Sequence, residues 1–547
     1  MSIDVNSLYN RRRDKRYDRV AVGDMLERVA YSRPDKEAIV SYDGAYAYDK
    51  YQKLTYKEAD DLANQVANAL LAKNLNRADR VLFMSENSSE AMVAKFGVAK
   101  ARLVNVPVNP SLADDAILHI IDLTKPSFII ADDEFSKRLE DLGHKADVVI
   151  PIKDLDTDIE DFDSFVKNQK TTAPELTIHG DDIWEILFTS GTTSLPKGAM
   201  ISHHYTYFAA YDYGMKFTRG LPFDSDLKIM SFISIIYHVG DQTLPGATFL
   251  TGGTLQLGRR HDAKEIAEMI TDEGTTALWI GSSELLIDLI NTYEKNSESY
   301  DFKTLTNILY GYTPLAPEYH DQLKEIAGDQ VTLWESFSQT EAIGGYRFFH
   351  DEHPDVYRRT APVTNVVGKA DPILGAKIID EEGKRIHQPN TPGEVVYRTP
   401  TMFSGYYKNE AETEKALEGG WFHSGDRVMV DENGLGVMVD RTKDMIKSGG
   451  ESVVSSRVEG TIKTHPDIVN AAVIGVPDKK WGEMVVAFVM KKDESNLSEE
   501  DLIAYVRERL AGFETPKQII FVDELPESIA GKTNKVALKE LYRDKYK

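Results

Sequence analysis

The order of secondary-structure signals predicts an α/β protein: a large N-terminal domain of layered, mostly parallel sheets with helices, then a small C-terminal α+β domain. Three observations carry this expectation. Short apolar runs alternate with amphipathic helical patterns through the first part of the chain, as parallel strands joined by crossover helices require. The last hundred residues change character, with short strands and a helix of their own. The 547 residues also exceed the roughly 250–300 at which a single core stops growing, so at least two domains are expected.

Thr55 to Glu58 reads as a capping box, and Leu62, Val66, Ala69 and Leu70 follow at helical spacing. Val81 to Met84 is a short strand, followed by a helix around Ser89 to Ala101 and a strand at Leu103 to Val106. A second helix near Asp114 to Leu123 leads to a strand near Ser127 to Ala131. In the C-terminal part, Asn470 to Val476 and Met484 to Met490 are strand candidates. Ser498 to Asp501 can cap a helix carrying Leu502, Val506 and Leu510 on one face. The polar stretch from Asp431 to Ser448 holds the candidate boundary, which we draw between 1–440 and 441–547. There is no internal repeat or low-complexity tract.

Composition narrows the function. Hydrophobic residues at 41% and charged residues at 28% exclude a disordered or collagen-like chain. No apolar run reaches the ~18 residues that span a bilayer. The N-terminal stretch is basic, with Arg11, Arg12 and Arg13, but lacks an apolar segment, so it reads as a solvated arm rather than a secretory signal. The chain has no cysteine, which excludes disulfides, thiolate metal sites and a cysteine nucleophile. Any thiol chemistry must use a substrate's thiol, and the composition fits a reducing, cytoplasmic setting. A net charge of −24 repels nucleic acid and anionic lipid. It also repels ATP and carboxylates, so a nucleotide site in this chain needs local cations or metal.

The strongest local signal runs from Ile186 to Gly198, where an apolar run enters Thr189-Ser190-Gly191-Thr192-Thr193-Ser194-Leu195-Pro196-Lys197. Glycine admits backbone N–H groups close to phosphate oxygens, hydroxyls add donors, and Lys197 supplies a point charge. It is not a Walker loop, because Pro196 stands before the lysine where glycine is needed. Spacing alone does not separate a phosphate cradle from a polar surface turn.

The segment FTSGTTSLPKG resembles the signature loop of the adenylate-forming superfamily, which includes acyl-CoA synthetases, peptide-synthetase adenylation domains and firefly-type luciferases. The resemblance extends over essentially the whole chain, because further family motifs recur in order. Ser194 departs from the family's usual glycine. Glu335-Ser336-Phe337-Ser338-Gln339-Thr340-Glu341 resembles the aromatic–Gly–x–Thr–Glu motif, with Ser338 in place of glycine. The resemblance implies that Thr340 contacts phosphate, Glu341 holds Mg²⁺, Phe337 stacks near adenine and Glu335 belongs to the nucleotide-binding group. Read alone, Thr340-Glu341 is more often a helix start. Gly393-Glu394 with Gly405-Tyr406 resembles a mainly structural motif. Ser424-Gly425-Asp426 stands where the family has Thr-Gly-Asp, which implies that Asp426 accepts from both ribose hydroxyls.

Asp440 to Glu451 resembles the family's hinge pattern (G/D)-R-x-(K/D)-D and the glycine loop after it. By that resemblance Arg441 reaches the nucleotide, Lys443 is the hinge, and Lys447, Gly449, Gly450 and Glu451 form the loop that meets coenzyme A. The reading without the family is a glycine hairpin with solvated lysines. Leu525 to Lys535 fits P-x-x-x-x-G-K, which maps the family's catalytic lysine onto Lys532. The small domain is then the mobile one, presenting Lys532 for adenylation and the glycine loop for thiolation.

Ser234 to Gly240 resembles the family segment P-L-F-H-x-x-G, which puts Tyr237 and His238 at the acyl pocket, with His238 at its junction with the thiol tunnel. Without that alignment, a histidine in an apolar stretch reads as a core residue. Asp241 reads either as an exposed or helix-capping residue or as a holder of a polar acyl group. Tyr310 to Leu315 resembles the small-residue pocket segment, with Gly311 and a bulky Tyr312 that would shorten the tunnel if it points inward. Trp279, Gly281 and Ser282 fall on another wall.

The implied activity is an ATP-dependent acid–thiol ligase using MgATP, a small carboxylic acid and coenzyme A, with no nucleic acid partner and a homodimer as an allowed assembly. The alternatives are a stand-alone adenylation enzyme that loads a carrier protein, and a nucleotide-binding relative without catalysis. Retention of Lys197, Glu341, Asp426, Arg441 and Lys532 speaks against the last.

Overall fold

The computed structural model describes residues 19–189, 195–218, 227–441, 444–493, 495–526 and 533–545. It is mixed α/β and divides into two compact units. One unit comprises Met1–Trp279, Thr340–Gly344 and Pro400–Thr413, and the other comprises Ile280–Gln339, Gly345–Thr399 and Glu414–Lys547.

In the first unit, a seven-stranded sheet runs in the order 160–161, 148–150, 128–132, 80–84, 104–107, 183–189, 197–202. Its strands are parallel until the last, where Ile183–Thr189 pairs antiparallel with Lys197–Ser202. The connecting helices arise as the sequence predicts. Thr55 and Glu58 form the reciprocal capping box at the start of Tyr56–Ala72. Ser88 caps Ser89–Lys100, its hydroxyl accepting from the Ala91 N–H at 3.1 Å. Leu82, Val106, Ile117, Ile120, Ile129 and Ile186 form the core on one side of this sheet. Ser89–Lys100 is buried on every face, including the side chains of Lys95 and Lys100. Lys100 is neutralised by Asp60 at 2.6 Å, as a buried ammonium requires. A second set of parallel strands joins Glu37–Ser41, Thr254–Leu257 and Lys228–Ser231.

In the second unit, Asn307–Gly311 runs parallel to Thr332–Gln339. An antiparallel meander follows, formed by Gly375–Ile379, Gly393–Arg398, Phe422–Val430 and Gly436–Arg441. The C-terminal residues build their own sheet, with Ile468–Asp478 and Gly482–Lys491 as a long antiparallel pair and Gln518–Phe521 parallel to the latter. Alternate residues of this pair serve two cores. Ala471, Val473, Val485 and Ala487 pack with Val458, Leu502 and Val506. Ala472, Ile474, Val486 and Phe488 pack with Leu538 and Tyr542. Because both faces are covered, these strands read as near-continuous apolar runs.

Candidate functional site

In the first unit, the antiparallel register pairs Thr189 with Lys197 across the two strands that bound the phosphate-loop segment. Ser190, Gly191, Thr192 and Thr193, with Ser194, lie outside the described residues. The Thr189 hydroxyl donates to the Lys197 carbonyl at 3.4 Å. The Lys197 ammonium lies 2.9 Å from Glu412 and 4.7 Å from the centre of the Tyr406 ring. The Tyr406 hydroxyl in turn donates to Glu341 Oε1 at 2.8 Å. Burial, then the Glu341 charge, holds the Tyr406 hydroxyl protonated far above the usual phenol range. The segment that carries Tyr406 is held against Lys197–Ser202 by backbone bonds, including Met200 N–H to Gly405 C=O and Tyr407 N–H to Gly198 C=O.

Thr340 and Glu341 form the turn after Thr332–Gln339 rather than a helix start. The Thr340 carbonyl accepts from the Tyr205 hydroxyl at 2.6 Å, and its hydroxyl lies 3.2 Å from His238 Nδ1. Burial lowers the His238 pKa to about 4, so at neutral pH the ring is uncharged and holds one proton to place on either nitrogen. Tyr237 is half-buried beside it, and burial raises its hydroxyl's pKa. Lys197, Glu341, Thr340 and His238 thus stand in one polar chain completed by Tyr406 and Tyr205. The sequence motifs left Tyr406 as structural and passed over Tyr205 and Glu412.

Asp241 is neither exposed nor a cap. It is 2% exposed and its carboxylate lies 2.6 Å from the buried Lys95 ammonium, which also contacts Glu185 at 2.8 Å. The apolar context of Ser234 to Gly240 signalled burial there, but the partners are more than 50 residues away in sequence.

In the second unit, Asp426 is buried, accepts from the Gln339 side-chain amide and lies 3.4 Å from Arg441 Nε. Asp426 and Arg441 are register partners on adjacent strands, which is why the two motifs meet. Phe337 packs on Tyr346 with ring centres 6.5 Å apart. Glu335 lies 3% exposed within 3.5 Å of the Tyr310 hydroxyl, and burial raises its pKa to about 8. Tyr310 also contacts His350 Nε2 at 3.0 Å. Gly311 ends its strand, and Tyr312 takes a left-handed φ of +72° with 42% exposure. Arg441 leads to Thr442 and Lys443, which lie outside the described residues.

The thiol-loop candidates form a tight hairpin. Ile446–Ser448 pairs with Glu451–Val453, with Gly449 at φ +62° and Gly450 at +87° between them. Positive φ at both central residues is what a two-residue turn of the right twist demands. Lys447 is tied to Ser452 at 2.6 Å, and the Gly449 N–H donates to the Trp481 carbonyl at 2.7 Å. Lys532 lies outside the described residues. Among the described residues there is no cluster of three or more metal-ligating side chains, and no helix is long and apolar enough to cross a membrane.

In the first unit a lysine and a carboxylate share Tyr406, and in the second a buried aspartate is paired to arginine; both groups are those of an adenylate-forming enzyme. The chain belongs to the AMP-binding enzyme family: that family's model matches residues 26–407, and the model of its C-terminal domain matches 457–532. The relatives place it in the acyl-CoA synthetase branch. It is 27% identical over 496 residues to the long-chain-fatty-acid–CoA ligase FadD13 of Mycobacterium tuberculosis, covering 90% of this chain and 93% of that one. It is 28% identical over 492 residues to the fatty acid–[acyl-carrier-protein] ligase ScoC of Streptomyces coeruleorubidus, covering 89% and 92%. Among solved structures it resembles ATP-bound MatB from Rhodopseudomonas palustris, with a TM-score of 0.81, 25% identity and coverage of 96% and 100%.

Proposed function

We propose that this protein is an ATP-dependent acyl-CoA ligase. A carboxylate oxygen attacks the α-phosphorus of MgATP, the bond to the β-phosphate oxygen breaks, and pyrophosphate leaves. The sulfur of coenzyme A then attacks the acyl carbonyl, AMP leaves, and the thiol proton passes to solvent. The observation that carries this reading is the chain Lys197–Tyr406–Glu341 with Thr340 and His238 beside it. It supplies a cation for phosphate, a hard oxygen ligand and a neutral imidazole at the start of the acyl segment.

Lys197, Thr189 and the hydroxyls of 190–193 take the phosphates, Asp426 the ribose hydroxyls, Arg441 the nucleotide and Phe337 the adenine side. One carboxylate suits Mg²⁺, which usually takes one or two protein ligands and completes its shell with phosphate oxygens and water. Glu341 would therefore hold the ion, and the ion would neutralise the triphosphate. Glu335, buried against Tyr310, belongs to the nucleotide-binding group by the same resemblance. The division at 440/441, close to where the C-terminal family model begins, separates a core from a domain that delivers Lys532, pivots at Lys443 and presents Lys447–Glu451 to the thiol. The absence of cysteine supports a cytoplasmic setting. The resemblance to ScoC favours, as a second reading, a carrier-protein thiol in place of coenzyme A.

A screen of AMP release across carboxylic acids of graded length and ring content tests the activity, run with coenzyme A and with carrier protein. No AMP release for any of the acids with either thiol would refute it. In Lys532→Ala, adenylation should fall by orders of magnitude while thiolation of supplied acyl-adenylate persists; equal loss of both steps contradicts the division of labour.

A further inference from the structure

Behind the His238 segment lies a fully buried ionic network that the adenylation chemistry does not use. Lys95 Nζ lies 2.8 Å from Glu185 Oε1 and 2.6 Å from Asp241 Oδ2, and it donates to the Ile235 carbonyl at 3.0 Å. All three charged side chains are at most 1% exposed. Gln242 donates to Glu185 and accepts from Thr206 at 3.3 Å, and Thr206 accepts from Trp184 Nε1 at 2.8 Å. Burial and the neighbouring Glu185 push the Asp241 carboxyl well up, so one proton balances the second carboxylate against the single ammonium.

Replacing such a network by apolar residues is often neutral or stabilising, so stability alone does not account for it. Its members instead lead to two different places. Glu185 sits on Ile183–Thr189, four residues before Thr189 and on the same face of the strand. Asp241 sits in the π-helical turn Val239–Thr243, directly after His238, and its N–H donates to the Tyr237 carbonyl at 3.1 Å. Such turns recur at functional sites. Lys95 and Asn87 hold the same acyl-side segment by its backbone, Lys95 at the Ile235 carbonyl and Asn87 at the Ile233 carbonyl and the Ile235 N–H. Gly240 leaves no slack, because a Cβ there would lie 2.4 Å from the Ile233 carbonyl oxygen.

We propose that Lys95, Glu185 and Asp241 are positioning residues that lock the acyl-side segment carrying His238 to the strand entering the phosphate loop. Asp241 sets the carboxylic-acid side, Glu185 the nucleotide side, and Lys95 joins them. The proposal rests on the adenylation reading.

Asp241→Asn and Glu185→Gln each replace one carboxyl group of the same network by an amide, and if the network served only to hold the core together both variants would disturb the two substrates together. Two readouts separate them: calorimetric titration of ATP in the absence of acid, and pyrophosphate exchange with the best acid from the screen. Asp241→Asn should raise the KM for acid at least tenfold and leave ATP affinity within twofold. Glu185→Gln should weaken ATP binding at least fivefold and leave the KM for acid within twofold. Lys95→Met should impair both. Equal effects of the two carboxylate variants on both substrates, or no effect of either, overturns the proposal. If Asp241→Asn does not fold, Asp241→Glu is read by the same criteria. The ATP titration needs no turnover, so it reads the nucleotide arm even if the ligase reading fails.

Discussion

Lys463 ends the helix Ser455–Lys463, and its ammonium lies 2.8 Å from Glu284 Oε1, with the two side chains only 21% and 23% exposed. Glu284 Oε2 accepts from Thr313 at 2.9 Å and from Ser283 at 3.2 Å. Burial by itself raises this carboxyl. The Lys463 charge, its hydrogen bond and the Thr313 hydroxyl outweigh burial and bring Glu284 from 4.5 to about 2. That displacement corresponds to roughly 3 kcal/mol; side-chain ordering and partial exposure reduce the expected cost of Lys463→Met to about 2 kcal/mol at pH 7. The folded pKa lies below the unfolded one, so the contribution is complete above about pH 4.5 and is lost as pH falls toward 2. Thermal unfolding of the wild type, Lys463→Met, Glu284→Gln and the double variant, at pH 7 and pH 3, checks this. The double variant should recover part of the loss by removing the uncompensated carboxylate, with a coupling of about 1 kcal/mol or more. The difference between wild type and Lys463→Met should shrink at pH 3. A strictly additive cycle, or a difference that does not change with pH, refutes the reasoning.

Glu335, its pKa raised to about 8 by burial, is protonated in both the folded and the unfolded chain near pH 4, so Glu335→Gln should leave the unfolding transition there within about 0.5 kcal/mol. A raised carboxyl loses stability as pH climbs from 4.5 through 8, so the variant should exceed wild type at pH 9; identical alkaline profiles would exclude a buried neutral acid. Gly240→Ala drives a Cβ to 2.4 Å and 2.7 Å from the Ile233 and Ser234 carbonyl oxygens, and should cost about 1–3 kcal/mol in thermal unfolding together with a loss of pyrophosphate exchange. Glu412→Gln frees Lys197 from a half-exposed competitor and should lower the KM for ATP by up to about fivefold. That gain should vanish in 0.5 M salt, and its persistence would rule out a screened ion pair.

The local rules were legible in the sequence because they act within one or two turns of chain. The Thr55–Glu58 box and the Ser498 cap are built as their residue types require. The apolar runs at 470–476 and 484–490 became one buried strand pair. The family motifs, which record chemistry at fixed spacing, marked Lys197, Thr340, Glu341, Asp426 and Arg441 before any fold was known. Asp440, noted only as part of a hinge pattern, turned out to hold the Ser455 N–H and hydroxyl at 2.7 Å and 2.9 Å, a contact across residues that no local rule joins.

What the chain alone determined is therefore the type and order of its elements and the chemical kinds gathered in its motifs. Only the tertiary structure decided which charges face one another: Glu412 at Lys197, Lys95 between Glu185 and Asp241, Glu335 against Tyr310. The physical reason is that desolvation and ion pairing depend on what fills the few ångströms around a group. In a folded sheet those neighbours come from positions 25 to 215 residues away, beyond the reach of any periodicity or propensity.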